Sequence, residues 1–291
     1  MSDFTDRLLS VLGNQTKDGD GCVVCGAPDI SREDIFPKWL QKRFGLANMG
    51  VLRPSNTKMQ YPKFLVSLCF RCNNEHFSQL ENRVAASSIS YENALTSPLS
   101  DFHLWLTKIY YFVQLFEQSR QVHVEPGEKR SLVSEKQIFD AHLLQIILKS
   151  TIPNQQIAFP DQATASLWLF QASANWEGNF DFACSGNQNI IAMRLGDLVL
   201  LAVVGDWAQY KVRVDLNKQK KIIDQNQFHA YFEMLKYLVE KNGISPSFSF
   251  SGTLEGPTLA LRPIPILARD LDTQLDDQFQ YLIQSKYGVT V

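Results

Sequence analysis

The sequence lacks the long hydrophobic runs of membrane proteins. None of its apolar stretches reaches the roughly 18 residues of a membrane-spanning helix, so no role in a membrane is expected. Residues 1–21 are acidic and contain no apolar secretory core, which predicts no signal peptide and a cytoplasmic location. No internal repeat is visible, and an apolar content of 45% over 291 residues excludes global disorder.

The sequence also lacks an excess of charge of one sign. It has 28 Lys or Arg and 30 Asp or Glu residues, which argues against a protein coated with nucleic-acid-binding charge. The charge is unevenly distributed, however, because residues 31–83 contain nine basic and four acidic residues, a net charge of +5. Such a segment fits a surface that faces a polyanion, or an ordinary solvated surface with a chance excess of basic residues.

Cysteine is scarce, yet four of the five cysteines form two C-x2-C pairs, Cys22/Cys25 and Cys69/Cys72. In a chain expected to be cytoplasmic, this spacing indicates tetrahedral zinc rather than disulfides. Each pair places two thiolates on one side of a tight turn, and two pairs complete four ligands. The fifth cysteine, Cys184, lies alone in an apolar stretch and is expected to be a small buried apolar residue.

The pattern of apolar residues predicts an α+β protein that divides near residue 90. Residues 1–90 are expected to form a zinc-bound module with an N-terminal helix, and residues 91–291 an α+β domain with an antiparallel sheet. Helices are predicted over residues 4–12, 38–44, 73–88, 100–119, 135–149 (with a capping box at Ser134), 226–241 and about 269–285. Extended segments are predicted over residues 30–36, 64–68, 166–172, 179–184, 189–195, 197–205 and 209–214, with a loop over 45–63.

Two stretches beside the cysteine pairs carry the most specific pattern. Residues 31–40 read SREDIFPKWL, and residues 68–81 read LCFRCNNEHFSQLE. With the cysteine pairs, they resemble the zinc-stapled branch of the HNH (His-Me finger, ββα-metal) endonuclease-like family. That branch has the order C-x2-C, S-x-E-H-x-x-P-x-W, C-x2-C-N-N and S-x-L-E. The resemblance covers about residues 20–82, roughly a quarter of the chain.

The resemblance implies a ββα fold with a catalytic divalent ion that is separate from the structural zinc. In such nucleases a histidine on the first strand takes a proton from the attacking water, while the metal stabilises charge on the scissile phosphate. Hard oxygen ligands at that second site suit Mg²⁺ or Mn²⁺. This sequence departs from the family pattern, because Asp34 stands where the histidine is expected, and Phe64 lies about where a middle asparagine would fall.

Three interpretations of this departure are open. Glu33 and Asp34 could form an altered catalytic metal site with Asn73 or His76 on the following helix. An ordinary carboxylate is a poorer base than imidazole at neutral pH, so Asp34 is more naturally a metal ligand than a base. Alternatively, His76 is a solvated helix residue. In the third interpretation, the substitution has removed catalysis and left a module that binds nucleic acid or has a structural role.

Lys38, Lys42 and Arg43 fall on one short predicted helix beside the candidate site. They are candidate phosphate contacts that would position a strand without reading its sequence, or else a solvated helix face.

Residues 91–291 contain no catalytic motif that we recognise, and they could bind a partner protein or mediate self-association. From the resemblance over residues 20–82, the first functional hypothesis is an HNH-type, divalent-metal-dependent nuclease that acts on DNA, in prokaryotic (antiphage) defence or a mobile element. The alternatives are a catalytically degenerate HNH-like zinc module that binds nucleic acid or a partner protein, and a purely structural zinc domain within a protein complex.

Overall fold

A computed structural model describes most of the chain. The described residues are 18–52, 58–118, 121–125, 128–131, 135–153, 157–158, 165–186, 188–206, 208, 210, 216, 221–242, 247–251, 259–264, 275 and 277–289. The predicted helix over residues 4–12, the capping residue Ser134 and most of the possible strand over 209–214 lie outside them.

The described residues confirm the predicted α+β class. They form seven α-helices: α1 (Lys38–Phe44), α2 (Ser78–Ser87), α3 (Tyr91–Leu95), α4 (Leu99–Gln118), α5 (Glu135–Ser150), α6 (Gln225–Asn242) and α7 (Asp277–Tyr287). The strands are β1 (Ser31–Asp34), β2 (Gly50–Leu52), β3 (Lys58–Gln60), β4 (Leu65–Leu68), β5 (Gln121–Glu125), β6 (Glu128–Ser131), β7 (Ile157–Ala158), β8 (Ala165–Ala172), β9 (Phe180–Cys184), β10 (Ile190–Leu195), β11 (Leu198–Val204), β12 (Ile222–Ile223), β13 (Ser247–Ser251) and β14 (Leu259–Ile264). Within the described segments, no helix is both long and apolar enough to cross a membrane.

The chain groups into two compact units. The first contains Met1–Arg83, Thr107–Gln162 and Phe248–Ile264, and the second contains Val84–Leu106, Ala163–Ser247 and Pro265–Val291. The division near residue 90 into a zinc module and an α+β domain stays a prediction.

In the first unit, two antiparallel strands are followed by a helix. Strand β1 pairs with β4 so that Ser31 lies opposite Leu68 and Asp34 lies opposite Leu65. Arg32 ties this ladder to the preceding loop, because its Nη1 donates to the Asp18 carboxylate at 2.8 Å and to Ser67 Oγ at 3.0 Å. The Asp18 side chain is buried. Its charge-assisted contacts therefore hold the loop before the first cysteine pair against strands β1 and β4.

The helix after β4 begins as a π-helix over Arg71–Phe77 and continues as α2. The sequence predicts one regular helix over residues 73–88, so its start and first turns differ from the prediction. Cys72 and Phe77 are both fully buried. Since π-helical winding brings residues five apart toward one side, it allows both side chains to face the interior.

The segment 45–63, predicted as a loop, contains regular structure. Strands β2 and β3 pair antiparallel, and Leu46–Asn48 and Tyr61–Lys63 form 3-10 turns. Each element is only three residues long, which is too short for hydrophobic periodicity to reveal it.

The second unit is built on a five-stranded sheet with the strand order β12-β8-β11-β10-β9. The pairs β8–β11, β11–β10 and β10–β9 are antiparallel, as predicted, whereas the short edge strand β12 pairs parallel with β8. Strands β10 and β11 are buried along their whole length, which explains the continuous apolar sequence of β11 and the apolar residues of β10 other than Arg194. The core joins residues of the sheet to α6, and it includes Trp168, Phe170, Leu201, Phe228, Tyr231 and Leu235.

Candidate metal centre

Two tight turns bring the four predicted zinc ligands together. At the first pair, the Cys22 N–H donates to Ala27 O and the Gly26 N–H donates to Cys22 O, both at 2.8 Å. Gly26 has a φ of 80°, a left-handed conformation that glycine adopts without a Cβ penalty. At the second pair, the Asn73 N–H donates to Cys69 O at 3.0 Å as the chain turns from β4 into the π-helix.

The sulfur atoms have the spacing of a metal site. All four Sγ atoms lie within 4.8 Å of one another, and Cys25 Sγ and Cys69 Sγ are 3.5 Å apart. A tetrahedral ion with Zn–S bonds of about 2.3 Å requires sulfur–sulfur distances of about 3.8 Å. Cys22, Cys69 and Cys72 are buried, and all four thiols are free of disulfides. These residues could therefore hold a metal such as zinc.

The electrostatics of the cluster favour a bound cation. Hydrogen bonds from Cys25 and Cys72 lower the pKa of the Cys22 thiol. The hydrogen bonds have the opposite effect on the pKa of the two donors. The hydrogen bond with Cys22 raises the pKa of Cys25 to about 11, and it also raises the pKa of Cys72. The Cys22 thiolate is thus stabilised at the expense of those of Cys25 and Cys72. Four thiolates together need a positive ion to offset their mutual repulsion.

The turn between Cys22 and Cys25 is part of the core of the first unit. Val23 and Val24 are buried. The carbonyl oxygen of Val23 accepts hydrogen bonds from Tyr111 Oη of α4 and Gln145 Nε2 of α5, each at 2.9 Å. The metal-binding turn is therefore held by two helices that lie far from it in the sequence.

Glu33 and Asp34 lie at the end of β1, and both are half-buried. Ser31 Oγ donates to Glu33 Oε1 at 2.5 Å, and Asp34 lies opposite Leu65 in the strand register. Asn73 is half-buried at the start of the π-helix. Among the described residues, the four cysteines form the one group of three or more His, Cys, Asp or Glu side chains that could hold a metal ion. A second site with Glu33, Asp34, Asn73 and His76 stays a prediction.

His76 is half-buried, and its Nε2 lies 2.8 Å from the hydroxyl oxygen of Thr151, just beyond α5. Burial lowers the pKa of His76, and the positive charges of Arg83 and Arg71 lower it further. The imidazole is therefore neutral at pH 7, the form that can accept a proton or bind a metal. Thr151 was not foreseen, because 75 residues separate it from His76 and no local pattern links them.

The predicted basic helix is confirmed as α1, and Lys38, Lys42 and Arg43 are all exposed on it. The Arg43 guanidinium stacks over the Trp39 ring, 4.8 Å from the ring centroid. Gly45, with a φ of 65°, ends the helix in the left-handed conformation typical of a C-cap. Lys38 and Lys42 are four residues apart and so lie on one face of the helix.

Two further residues are Glu81, at the end of the predicted motif, and Cys184, in the second unit. Glu81 forms an ion pair with Lys108 of α4, whose side chain is fully buried, and the Lys108 ammonium lies 5.5 Å from the ring centroid of both Phe77 and Phe112. Cys184 is half-buried on the edge strand β9, and so is more exposed than predicted.

No known protein family, no curated protein and no solved structure matches this chain.

Proposed function

We propose that this protein is an HNH-type nuclease that uses a divalent metal ion to cut DNA through an atypical site. The observation that supports the proposal most is the clustering of Cys22, Cys25, Cys69 and Cys72. A zinc ion bound there would join the loop before β1 to the end of β4. It would therefore staple the two strands and the following helix in the ββα order on which an HNH site is built.

In this proposal, Asp34 and Asn73 hold the catalytic ion, with Glu33 beside them. Carboxylate and amide oxygens suit Mg²⁺ or Mn²⁺, which would stabilise the negative charge on the phosphate and the leaving oxygen. His76 takes the role of general base, because its neutral imidazole is a better proton acceptor at neutral pH than an ordinary carboxylate.

The DNA backbone would be held by the exposed cations of α1. Lys38, Lys42 and Arg43 belong to the segment 31–83, which has a net charge of +5. Contacts from such residues to phosphates position a strand without reading its bases. A nuclease of this kind would suit a role in prokaryotic defence or a mobile element.

The second candidate is a catalytically degenerate zinc module that binds DNA or a partner protein. It is favoured by the finding that, among the described residues, Glu33, Asp34 and His76 do not form a group that could hold a metal ion, whereas the four cysteines do form such a group.

One comparison separates the two candidates. Plasmid and single-stranded DNA are incubated with the zinc-loaded protein and Mg²⁺, Mn²⁺ or a chelator, in parallel with Asp34→Asn, His76→Gln and the matched control Asp29→Asn. Asp29 is exposed beside the first cysteine pair. The proposal predicts metal-dependent cutting that both site variants reduce by about 100-fold or more, and that the control retains.

If the wild type does not cut but binds DNA in a salt-sensitive manner, the binding module is correct. If it neither cuts nor binds, both candidates are wrong for DNA, and a structural zinc domain that serves a protein complex is the remaining hypothesis.

A further inference from the structure

Thr151 has a hydrogen-bond arrangement that determines the form of its neighbour. Its hydroxyl oxygen lies 2.7 Å from the carbonyl oxygen of Leu148 and 2.8 Å from His76 Nε2. A threonine hydroxyl has one hydrogen to donate, and a carbonyl oxygen can only accept. Both hydrogen bonds are made together only if the hydroxyl donates to Leu148 O and accepts from His76 Nε2.

We propose that Thr151 is a positioning residue that holds the proton of neutral His76 on Nε2 and leaves the lone pair on Nδ1. The second nitrogen of a functional histidine is commonly oriented by such a partner, which sets the tautomer and the direction of the ring. The partner here is anchored in turn, because the Thr151 hydroxyl is tied to the last turn of α5 through Leu148.

A second contact holds the two segments together beside this pair. Arg71 Nη2, in the first turn of the π-helix, donates to Pro153 O at 2.8 Å. Residues 71 and 76 of the π-helix are thus connected to residues 153 and 151 of the segment after α5. These two connections fix the ring of His76 from outside its own helix.

The proposal deepens the nuclease function and rests on it for its chemical consequence. Nδ1 is the nitrogen that takes the proton as the oxygen of water bonds to phosphorus. The ester P–O bond breaks, and the departing oxygen takes a proton from solvent. The protonated His76 then returns its proton to solvent, so the products are a phosphate monoester and an alcohol, and atoms and charge balance. Loss of the Thr151 hydroxyl would let the proton occupy Nδ1 in part of the molecules and so weaken the base.

The direct test is nitrogen NMR of the zinc-loaded protein labelled with ¹⁵N-histidine, at pH 7.5. His76→Gln assigns the His76 signals among the five histidines. The wild type is expected to show a protonated Nε2 and an unprotonated Nδ1. Thr151→Val, which keeps the shape but removes the hydroxyl, should shift both nitrogens toward a mixture of tautomers, whereas Thr151→Ser should restore the wild-type pattern.

A protonated Nδ1 in the wild type would overturn the proposal without any variant. So would a Thr151→Val spectrum identical to that of the wild type. Zinc content and thermal unfolding of each variant show whether the fold is retained.

Cleavage provides the second readout. Thr151→Val should slow metal-dependent DNA cutting ~10- to 100-fold, the usual cost of losing such an orienting partner, and Thr151→Ser should stay within a few-fold of the wild type. Cutting by Thr151→Val at the wild-type rate would overturn the positioning role. If the wild type does not cut at all, the proposed nuclease function fails, while the NMR comparison still decides whether Thr151 sets the tautomer.

Discussion

At the scale of the residue, the buried carboxyl group of Asp206 is compensated by hydrogen bonds. Its carboxylate accepts four hydrogen bonds, from the N–H of Ser166 at 2.6 Å, from the Ser166 hydroxyl at 2.5 Å, and from the N–H groups of Ala208 and Tyr210, both at 3.1 Å. Asp206 thus organises the turn after β11. Burial raises its pKa to about 6, although these hydrogen bonds oppose the shift.

This shift predicts a pH dependence of stability. An acid whose pKa is higher in the folded than in the unfolded protein binds its proton more tightly when folded. Its contribution to stability is therefore largest below pH 4 and is lost as the pH rises toward about 6. We expect Asp206 to lower the free energy of unfolding by up to ~3 kcal/mol over this range. Urea denaturation at several pH values measures it.

The matched variant is Asp206→Asn, which removes the titration. It should flatten the difference between pH 4 and pH 6, and it should lower stability at both values, because its amide cannot accept all four hydrogen bonds. A slope as steep as that of the wild type would contradict the assignment.

Some residues of the candidate site could be predicted from the sequence, and others could not. Cys22, Cys25, Cys69 and Cys72 could be predicted because thiolate pairs with two intervening residues have few other uses. Thr151, Tyr111 and Gln145 could not, because they reach the site through tertiary contacts across 75 or more residues. The burial of Lys108 could not be predicted either, since the sequence does not distinguish a buried lysine with a carboxylate partner from a lysine on a helix surface.

At the scale of the element, helices α4 and α5 support the metal-binding turn. Tyr111 and Gln145 both donate to the carbonyl oxygen of Val23, and Gln145 Nε2 also lies 3.4 Å from Val24 O. Either helix alone can satisfy the buried carbonyl of Val23, whereas loss of both leaves it without a side-chain donor.

This arrangement predicts non-additive effects of substitution. Tyr111→Phe and Gln145→Leu should each cost about 0.5–1.5 kcal/mol in the free energy of unfolding. The double variant should cost more than the sum by about 1 kcal/mol or more, because the carbonyl then stays desolvated and unpaired. A double-mutant cycle by urea denaturation of the zinc-loaded protein measures the coupling. Additive costs would show that the two helices do not share this contact.

The elements themselves were predicted well where they are long or strongly patterned. Helices α4 and α6 and strands β8 to β11 match their predictions to within a residue or two, because their apolar content is continuous or periodic. The hairpin β2–β3 was not predicted, since strands of three residues are too short to show an alternation of apolar and polar residues. The π-helix was not predicted either, because its winding depends on the burial of Cys72 and Phe77 in the folded protein. Helix α7 spans Asp277–Tyr287, and the predicted start of this helix near residue 269 lies outside the described segments.

At the scale of the whole molecule, the charge is divided between regions. The net charge of −2 conceals the +5 of residues 31–83, between flanks of opposite sign. Any contact with DNA should therefore be confined to this segment, in which Lys38 and Lys42 share a face of α1.

Salt dependence of DNA binding tests this localisation. Lys38→Ala with Lys42→Ala should weaken binding to all sequences alike and reduce the slope of log K against log salt by about 0.9 per lost phosphate contact on duplex DNA. Lys221→Ala, at an exposed lysine of the second unit, is the control and should leave the slope unchanged. Equal effects of the two changes would contradict a DNA surface on α1.

We expect Cys22, Cys25, Cys69 and Cys72 to hold one zinc ion that staples the ββα module. X-ray absorption at the zinc edge of the purified protein tests it most directly, with Cys69→Ser and Cys184→Ser for comparison. We predict one zinc per chain with four sulfur ligands at about 2.3 Å, retained in Cys184→Ser and lost or reduced in Cys69→Ser. A zinc shell containing nitrogen or oxygen ligands, or full zinc retention with four sulfurs in Cys69→Ser, would contradict it.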